Sequence, residues 1–139
     1  MKLLLILVSL FSIVASAQAP RPEETIAAYF HGWNVRSLEE VMATMNDDVV
    51  YQDPFSGSVQ GKPALENYFA ELLQQFPSVA LHVDEIDLSG SKCRTAENST
   101  AVTVRYTSEI TDSTGRVFRN AGLDCFLFSD GKIQALMAH

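Results

Sequence analysis

Apolar and polar residues alternate with two different periods along this chain, helical in the first half and strand-like in the second. Between residues 23 and 76, three segments carry apolar side chains at intervals of three and four, which predicts three helices. The second segment opens on the capping box of Ser37 and Glu40, and the third follows Gly61 and stops before Pro77. The predicted inner stripes are Ile26, Tyr29, Phe30 and Trp33; Leu38, Val41, Met42 and Met45; and Leu65, Phe69, Leu72, Leu73 and Phe76.

The remaining segments have the pattern of strands. Residues 49–52 are β-branched and aromatic and end at Asp53-Pro54, which predicts a short strand because proline cannot continue a central ladder. From residue 79 the period is two, and tight turns separate four predicted strands near residues 79–88, 100–110, 117–128 and 132–138. The polar stretch 89–99 is one long loop. Helices followed by a long meander imply an α+β domain in which a curved sheet wraps the helices and leaves a hollow.

The first seventeen residues have the features of a secretory signal peptide. One lysine precedes an apolar run that is too short to span a bilayer comfortably, and the small residues Ala15-Ser16-Ala17 follow it. These features favour cleavage over an uncleaved membrane anchor. We therefore expect a signal peptide over residues 1–17, a single mature domain over residues 18–139, and secretion to an extracellular or periplasmic compartment.

Secretion would bring the two cysteines, Cys93 and Cys125, into an oxidising compartment. Cys93 lies in the polar loop and Cys125 in a predicted strand, so a disulfide requires the loop to fold back over the sheet. The sequence leaves both states open, a disulfide and two free thiols. Asn98, in the same loop, begins an Asn-Ser-Thr sequence, which is an N-glycosylation acceptor in a host that glycosylates.

The chain is acidic, with a formal net charge of −7. Such a surface repels nucleic-acid phosphates and anionic lipid heads, so we expect no nucleic-acid partner and no membrane partner after signal removal. The strand predicted near 117–128 is apolar on both faces, with Leu123, Cys125 and Leu127 on the outer one. A second copy packed sheet to sheet would cover that face, which predicts a homodimer.

Two carboxylates and one phenol occupy positions that strand and helix periodicity direct towards the hollow. Asp53 shares a strand face with Val49 and Tyr51, although aspartate before proline also commonly starts a turn. Asp124 shares its face with a glycine and phenylalanines, unless the strand is turned round to leave it solvated. Burial of an ionised carboxylate is costly, so an inward Asp124 should find a partner or stay protonated. Tyr29 points towards the same hollow from the first helix.

These positions belong to a set of motifs that resembles bacterial ketosteroid isomerases and the wider SnoaL-like group. The matching stretches are Ile26–Phe30, Leu38–Met45, Val49–Pro54, Gly61, Leu123–Phe128 and Asp130–Ile133. The resemblance implies the cone-shaped NTF2-like (cystatin-like) α+β fold, with three N-terminal helices packed in a curved, mostly antiparallel sheet. It also implies an oxyanion hole made by Tyr29 and a protonated Asp124, with Asp53 as the catalytic base.

The hollow of such a fold holds a small apolar molecule. We expect its substrate-binding residues to be Trp33, Tyr51, Phe69, Phe126 and Phe128. No histidine has metal-ligand spacing, so we expect neither a metal nor another cofactor. The isomerases support their catalytic tyrosine with a second tyrosine on helix three, whereas this chain has Phe69 at the matching position and Tyr68 one step away.

The first hypothesis is therefore a secreted, cofactor-independent enzyme similar to ketosteroid isomerase or a polyketide cyclase. It would shift a proton beside a carbonyl group of a small hydrophobic substrate. The alternative is a non-catalytic NTF2-like module that binds a hydrophobic ligand or associates with itself. The two hypotheses differ in the state of Asp124, which the enzyme would hold protonated near neutral pH and a plain binder can leave ionised and wet.

Overall fold

Three helices and six strands form the part of the chain that the computed structural model describes, residues 18–93 and 100–139. The helices are α1 (Pro22–Asn34), α2 (Leu38–Ala43) and α3 (Lys62–Gln75). The strands are β1 (Met45–Asp53), β2 (Gly57–Gln60), β3 (Ser78–Asp87), β4 (Thr100–Thr111), β5 (Val117–Ser129) and β6 (Lys132–Ala138). The predicted signal peptide, residues 1–17, and the acceptor Asn98 lie outside the described residues. None of the described helices is long and apolar enough to cross a membrane.

All six strands belong to one sheet with the order β2-β1-β6-β5-β4-β3. Neighbouring strands run antiparallel, except β1 and β6, which are parallel. The helices pack against one face of the sheet, and apolar side chains from both layers form the core. The predicted α+β architecture, a curved and mostly antiparallel sheet around helices, is confirmed. Helix α3 follows β1 and β2 in the chain, so the helices do not all precede the sheet.

The helical stripes predicted from spacing face the core. Each of the three helices buries the centre of its stripe, and each fully buried large side chain stabilises the fold by roughly 2 kcal/mol. The buried members are Ile26, Tyr29, Phe30 and Trp33 of α1, Val41 and Met42 of α2, and Leu65 and Phe69 of α3. Leu38, Leu72 and Leu73 are partly buried against the same core.

The predicted boundary between the second helix and the first strand is wrong. Met45, expected on a helical stripe, begins β1, pairs with Ile133 of β6 and is fully buried. The polar residues that follow Met45 also belong to β1. Asn46 donates a hydrogen bond to Gln134 of β6, and Asp48 accepts one from Gln134. These contacts span a register shift in the β1–β6 pairing, so polar side chains bridge an irregular stretch of strand. Residues 57–60 form a further short strand, β2, which the sequence pattern did not predict.

Side-chain hydrogen bonds cap α2 and fix the end of α1 to its neighbours. Ser37 accepts a hydrogen bond from the Glu40 amide and caps α2, as the sequence predicts. Asn34, at the end of α1, both donates to and accepts from the Leu81 backbone of β3. Arg36 donates to the carbonyl groups of Leu73 and Phe76, which satisfies acceptors at the end of α3. The end of α1 and the segment after it are thereby fixed to both β3 and α3.

The outer face of the sheet carries a disulfide. Cys93 and Cys125 are bonded, with their Cα atoms 5.7 Å apart, so residues 88–93, which follow β3, fold back over the sheet. Gly90 makes this approach possible, because a Cβ atom there would lie 2.6 Å from the Ala101 carbonyl oxygen. This segment places Cys93 against Cys125 and against Thr103, the partner of Cys125 in register on β4, and both of these residues are buried. It therefore covers part of the apolar outer face that suggested a homodimer, and the dimer stays a prediction for the half-buried remainder.

Loss of the disulfide should destabilise the domain. The bond closes a loop of 32 residues, for which the chain-entropy relation gives roughly 3 to 4 kcal/mol. We expect a Cys93→Ala/Cys125→Ala variant to unfold at a correspondingly lower urea concentration than the oxidised wild type. Wild type treated with reductant serves as the control and should approach the variant. Equal unfolding midpoints for the oxidised protein and the variant would contradict the prediction.

Candidate active site

A cavity of about 190 Å³, here called the inner chamber, lies between the helices and the concave face of the sheet. Its wall combines aromatic and aliphatic side chains with a few polar ones. The lining residues are Tyr29, Phe30, Trp33, Tyr51, Leu72, Phe76, Val79, Leu81, Tyr106, Ser108, Ile110, Asp124 and Ala138. A mostly apolar wall with a few polar groups is typical of a site for a small ligand.

A second hollow of about 440 Å³, the outer chamber, adjoins the inner one. It is lined by the end of β1 and its turn, including Asp53 and Phe55, by Tyr68 of α3 and by the middle of β5. The two chambers share the wall residues Tyr51, Leu72, Tyr106, Ser108, Ile110 and Ala138. These shared wall residues place the two chambers side by side. A more open hollow of about 550 Å³ lies along β3–β5 and contains none of the predicted site residues.

Asp124 is the most deeply buried acid of the described chain, with 4% of its surface exposed. Burial raises the pKa of its carboxyl group from 3.8 to about 7, and the neighbouring His139 backbone and Tyr106 hydroxyl limit the rise. Its Oδ1 atom has no hydrogen-bond partner within residues 18–93 and 100–139. The inward orientation predicted from strand parity is therefore the one in the structure, and the side chain lines the inner chamber.

Tyr29 lines the same chamber from α1. Its ring packs edge-on against Phe126 and Trp33, with centroids 5.5 Å and 6.3 Å away. Burial raises the pKa of the phenol well above its usual value, and the charge of Asp124 raises it further. The hydroxyl group consequently remains protonated and available as a hydrogen-bond donor near neutral pH.

Asp53 lies at the end of β1 and accepts four hydrogen bonds. The donors are the amides of Phe55 and Ser56 at 2.6 and 2.5 Å, the Ser56 hydroxyl at 2.7 Å and the Tyr68 hydroxyl at 2.8 Å. Partial burial alone would raise the pKa of Asp53, but the bonds from Ser56, Tyr68 and Phe55 outweigh it and lower the pKa to about 2. The Asp53 carboxylate therefore starts a turn, which is the alternative role that the Asp-Pro pair suggested. It also lines the outer chamber in its ionised form.

The structure places the three predicted catalytic residues in adjoining spaces. Tyr29 and Asp124 share the inner chamber, and Asp53 lies in the outer chamber beyond the shared wall that includes Tyr51 and Tyr106. The roles of base and oxyanion donors remain predictions. Tyr68, which sequence comparison placed one step from the supporting tyrosine of the isomerases, donates to Asp53.

The five predicted substrate-binding residues divide into two groups. Trp33 and Tyr51 line the inner chamber. Phe69, Phe126 and Phe128 are buried in the core and line neither chamber. Strand and helix parity correctly point them inward, but at their level the helices pack directly on the sheet and leave no space. They support the chamber wall from behind, since Phe69 contacts Trp33 and Phe126 contacts Tyr29.

Tyr106 is a chamber residue that sequence reasoning did not find. It lies on β4 opposite Gly122 of β5, and its ring occupies the space where a Cβ atom of residue 122 would be. Burial raises the pKa of its hydroxyl group, and the charge of the adjacent Asp124 adds to the rise. An isolated glycine within a strand pattern often marks such a close approach, so Gly122 was the available signal.

No group of three or more His, Cys, Asp or Glu side chains suited to hold a metal ion occurs among the described residues. The polar groups of the two chambers are instead carboxyl, phenol, hydroxyl, amide and indole groups, with the imidazole of His139 in the outer chamber. Such groups donate and accept hydrogen bonds and transfer protons. The arrangement is suited to stabilising a developing charge on a ligand oxygen in a largely apolar space.

The sequence pattern of the SnoaL-like domain matches residues 26–136, which include every predicted catalytic residue. The chain belongs to the SnoaL-like family. No curated protein matches the SnoaL-like chain. The family membership and the fold predicted from the motifs are therefore confirmed, while the reaction is left open.

Solved structures share the fold of this SnoaL-like domain at low sequence identity. An NTF2-like protein of unknown function from Burkholderia pseudomallei superposes with a TM-score of 0.70 at 18% identity, covering 85% of this chain and 88% of its own. An LEH-like epoxide hydrolase from M. tuberculosis has a TM-score of 0.67 at 14% identity, covering 84% and 80%. A hypothetical protein with a ketosteroid isomerase-like fold from Catenulispora acidiphila has a TM-score of 0.69 at 13% identity, covering 84% of both chains. These likenesses show the fold alone.

Substitution of Gly122 tests the close approach of Tyr106. Gly122→Ala should destabilise the domain by roughly 1 to 3 kcal/mol, the usual cost of overpacking, because the methyl group would overlap the Tyr106 ring. Urea unfolding measures the effect. In a Tyr106→Ala background the same substitution should cost much less, because the overlapping ring is absent. Equal costs in both backgrounds would contradict the proposed contact.

The raised pKa of Asp124 predicts a pH-dependent stability. In the folded state the Asp124 carboxyl group ionises only near pH 7, whereas in the unfolded state it ionises near pH 4. The free energy of unfolding should therefore fall by on the order of 4 kcal/mol as the pH rises from about 4 to about 7, and then level off. Asp53 acts in a separate window, because its lowered pKa makes it lose stabilisation only as the pH falls from about 4 towards about 2.

Urea unfolding of wild type and Asp124→Asn across this pH range measures that contribution. The asparagine variant cannot ionise, so its curve should lack the decline between pH 4 and 7. Asp112→Asn, at an exposed turn acid with a lowered pKa, is the matched control and should follow the wild type there. Parallel curves for wild type and Asp124→Asn would contradict the raised pKa.

Proposed function

We propose that this chain is a secreted, cofactor-independent enzyme of the isomerase or cyclase type, which moves a proton next to a carbonyl group of a small hydrophobic substrate. The proposal depends on one observation, a buried carboxyl group with a raised pKa that shares an apolar chamber with a neutral phenol. An acid held partly neutral near pH 7 is costly to maintain and is characteristic of a catalytic site. The SnoaL-like family and the folds of its solved neighbours are consistent with such an enzyme.

In the proposed reaction, the substrate carbonyl enters the inner chamber and accepts hydrogen bonds from Tyr29 and protonated Asp124. Removal of the neighbouring carbon-bound proton moves charge onto the carbonyl oxygen, where both donors stabilise it. Each such donor contributes on the order of 10²-fold or more in rate when water is excluded. The apolar wall of the chamber keeps that environment dry, so that the donors do not have to reorganise during the reaction.

Asp53 is the proposed base, since it is an ionised carboxylate that lines the adjoining outer chamber. Its four hydrogen bonds keep it ionised but also make it a weak base, and a weak base removes protons efficiently only from an acidic carbon. We therefore propose a substrate whose reacting carbon is activated by a carbonyl and either an alkene or a second carbonyl. In an isomerase the proton taken up by Asp53 returns to another carbon of the conjugated system. In a cyclase the carbanion instead attacks a second carbonyl carbon of the substrate, whose C=O π bond opens, and the resulting alkoxide oxygen takes up the proton from Asp53.

A second candidate function is binding without catalysis, and the geometry of Asp53 favours it. Four hydrogen bonds within one turn and to Tyr68 are what a purely structural aspartate would make. A hydrophobic-ligand carrier with the same chambers would bind a ketone and release it unchanged. The two candidates therefore differ in turnover, and binding alone does not separate them.

Replacement of Asp53 tests the enzyme. The purified domain is mixed with a β,γ-unsaturated cyclohexenone, and absorbance of the conjugated product is followed. We expect the wild type to accelerate the conversion and Asp53→Asn to lower kcat by roughly 10²-fold or more, since a general base contributes on that scale. Tyr29→Phe and Asp124→Ala should each lower kcat by a similar factor.

Asp112→Asn is the matched control for this experiment. Asp112 also starts a turn and accepts hydrogen bonds from Thr114 and Arg116, but it lines neither chamber. It should keep full activity, and circular dichroism should show that all variants are folded. An Asp53→Asn variant as active as the wild type would exclude the mechanism. A wild type that binds the ketone without converting it would support the carrier.

A further inference from the structure

Two buried polar atoms have no hydrogen-bond partner in the described part of the chain, and both belong to side chains of the inner chamber. They are Nε1 of Trp33 and Oδ1 of Asp124. The two residues are more than nine-tenths buried, with 7% and 4% of their surfaces exposed. Unpartnered atoms of this kind are rare in folded proteins and require an explanation at each position. Their presence in the wall of one chamber suggests a single explanation for both.

An indole N–H group donates a hydrogen bond and cannot accept one, so Trp33 requires an acceptor. Its ring contacts two aromatic neighbours edge-on, Phe69 at 4.9 Å and Tyr29 at 6.3 Å between centroids. The Tyr29 hydroxyl is close enough for the indole to influence its pKa, but the pair does not meet hydrogen-bond geometry. Leaving a buried donor unsatisfied costs about 1 to 3 kcal/mol. A ligand acceptor in the chamber would remove that cost.

The dimensions of the inner chamber limit the size of the ligand. A cavity of about 150 Å³ is known to hold one benzene molecule. The inner chamber, at about 190 Å³, therefore has room for one six-membered ring with a short substituent. A larger ring system would have to extend past Tyr51 and Tyr106 into the outer chamber.

Charge further restricts the chemistry of the ligand. The protein is acidic, and both chambers contain a carboxyl group, Asp124 in one and Asp53 in the other. No Lys, Arg or His lines the inner chamber, and His139 is the basic residue of the outer one. An anionic ligand would meet electrostatic repulsion without a compensating cation, so a neutral ligand fits best.

We propose that the inner chamber binds a neutral, single-ring ketone and that Trp33 is the specificity-determining donor, with its Nε1–H group bound to the ketone oxygen. The indole thus selects for an oxygen acceptor among compounds of equal size, and it joins Tyr29 and Asp124 as a third donor to the carbonyl oxygen that they bind in the proposed reaction. This inference names the ligand class of the site in the proposed function and rests on it for its biological use. Binding can nevertheless be measured without turnover, so the two proposals can fail separately.

Trp33 is the single tryptophan of the chain, which makes a direct test possible. In a ¹H–¹⁵N spectrum of the labelled domain, its indole group gives one resonance that needs no assignment by mutagenesis. Acetophenone and ethylbenzene are the probes, because they match in size and differ in the ketone oxygen. We expect acetophenone to move the indole proton resonance downfield in a saturable manner and ethylbenzene to produce no downfield shift. Saturable binding of acetophenone without a downfield shift would overturn the proposed hydrogen bond.

Calorimetric titration of a Trp33→Phe variant gives the energetic test. Phenylalanine keeps an aromatic wall but removes the N–H group, so affinity for acetophenone should fall about tenfold, the effect of roughly one hydrogen bond to a buried donor. Affinity for ethylbenzene should stay within about twofold. Phe76→Leu, a substitution of an apolar chamber residue, is the matched control and should weaken both probes by similar factors.

The outcomes of the titration are decisive in either direction. Equal losses of affinity for both probes in Trp33→Phe would mean that the indole contributes only surface, and the proposal would be wrong. The proposal would also be overturned if neither acetophenone nor ethylbenzene showed saturable binding to the wild type. Acetophenone has no β,γ double bond and cannot be isomerised, so these results do not depend on the catalytic proposal.

Discussion

The central constraint in this molecule is the burial of the Asp124 carboxyl group in an apolar chamber. Low access to water disfavours its ionised form and raises its pKa to about 7. The ionised group contributes nothing to stability at this position, so the surrounding core must offset its cost. A buried acid that weakens the fold near neutral pH and lines a cavity is best explained by a functional requirement.

The second carboxyl group of the site is controlled in the opposite way. Asp53 accepts hydrogen bonds from the turn that follows it and from Tyr68, and these bonds lower its pKa to about 2. Two acids of the same type thus remain in different ionisation states at neutral pH, one always charged and one partly neutral. Such a separation assigns the acid and base roles in sites of this kind. The hydrogen bonds of the turn also keep Asp53 ionised, so this residue can start a turn and still be available as a carboxylate.

Strand β5 connects the site to the rest of the domain. Its inner face presents Gly122 to the outer chamber and Asp124 to the inner chamber. Its outer face carries Cys125, which the disulfide joins to Cys93 after β3. Because alternate residues of a strand point to opposite faces, the cross-link lies next to the buried acid without entering its chamber. The cross-link therefore constrains the backbone that positions Asp124. Tyr106 packs over Gly122 from the neighbouring strand and lines both chambers.

The sequence alone determined the three helices, most of the strands, their inward faces and the family. Helical spacing and strand alternation depend on neighbouring residues, so they placed Tyr29 and Asp124 correctly towards the hollow. Tertiary structure decided what depends on distant contacts. Met45 became strand because Ile133 pairs with it, and Tyr106 entered the site because Gly122 leaves it room. The chamber walls, the unpartnered atoms and both carboxyl pKa values follow from packing between elements, which local periodicity does not encode.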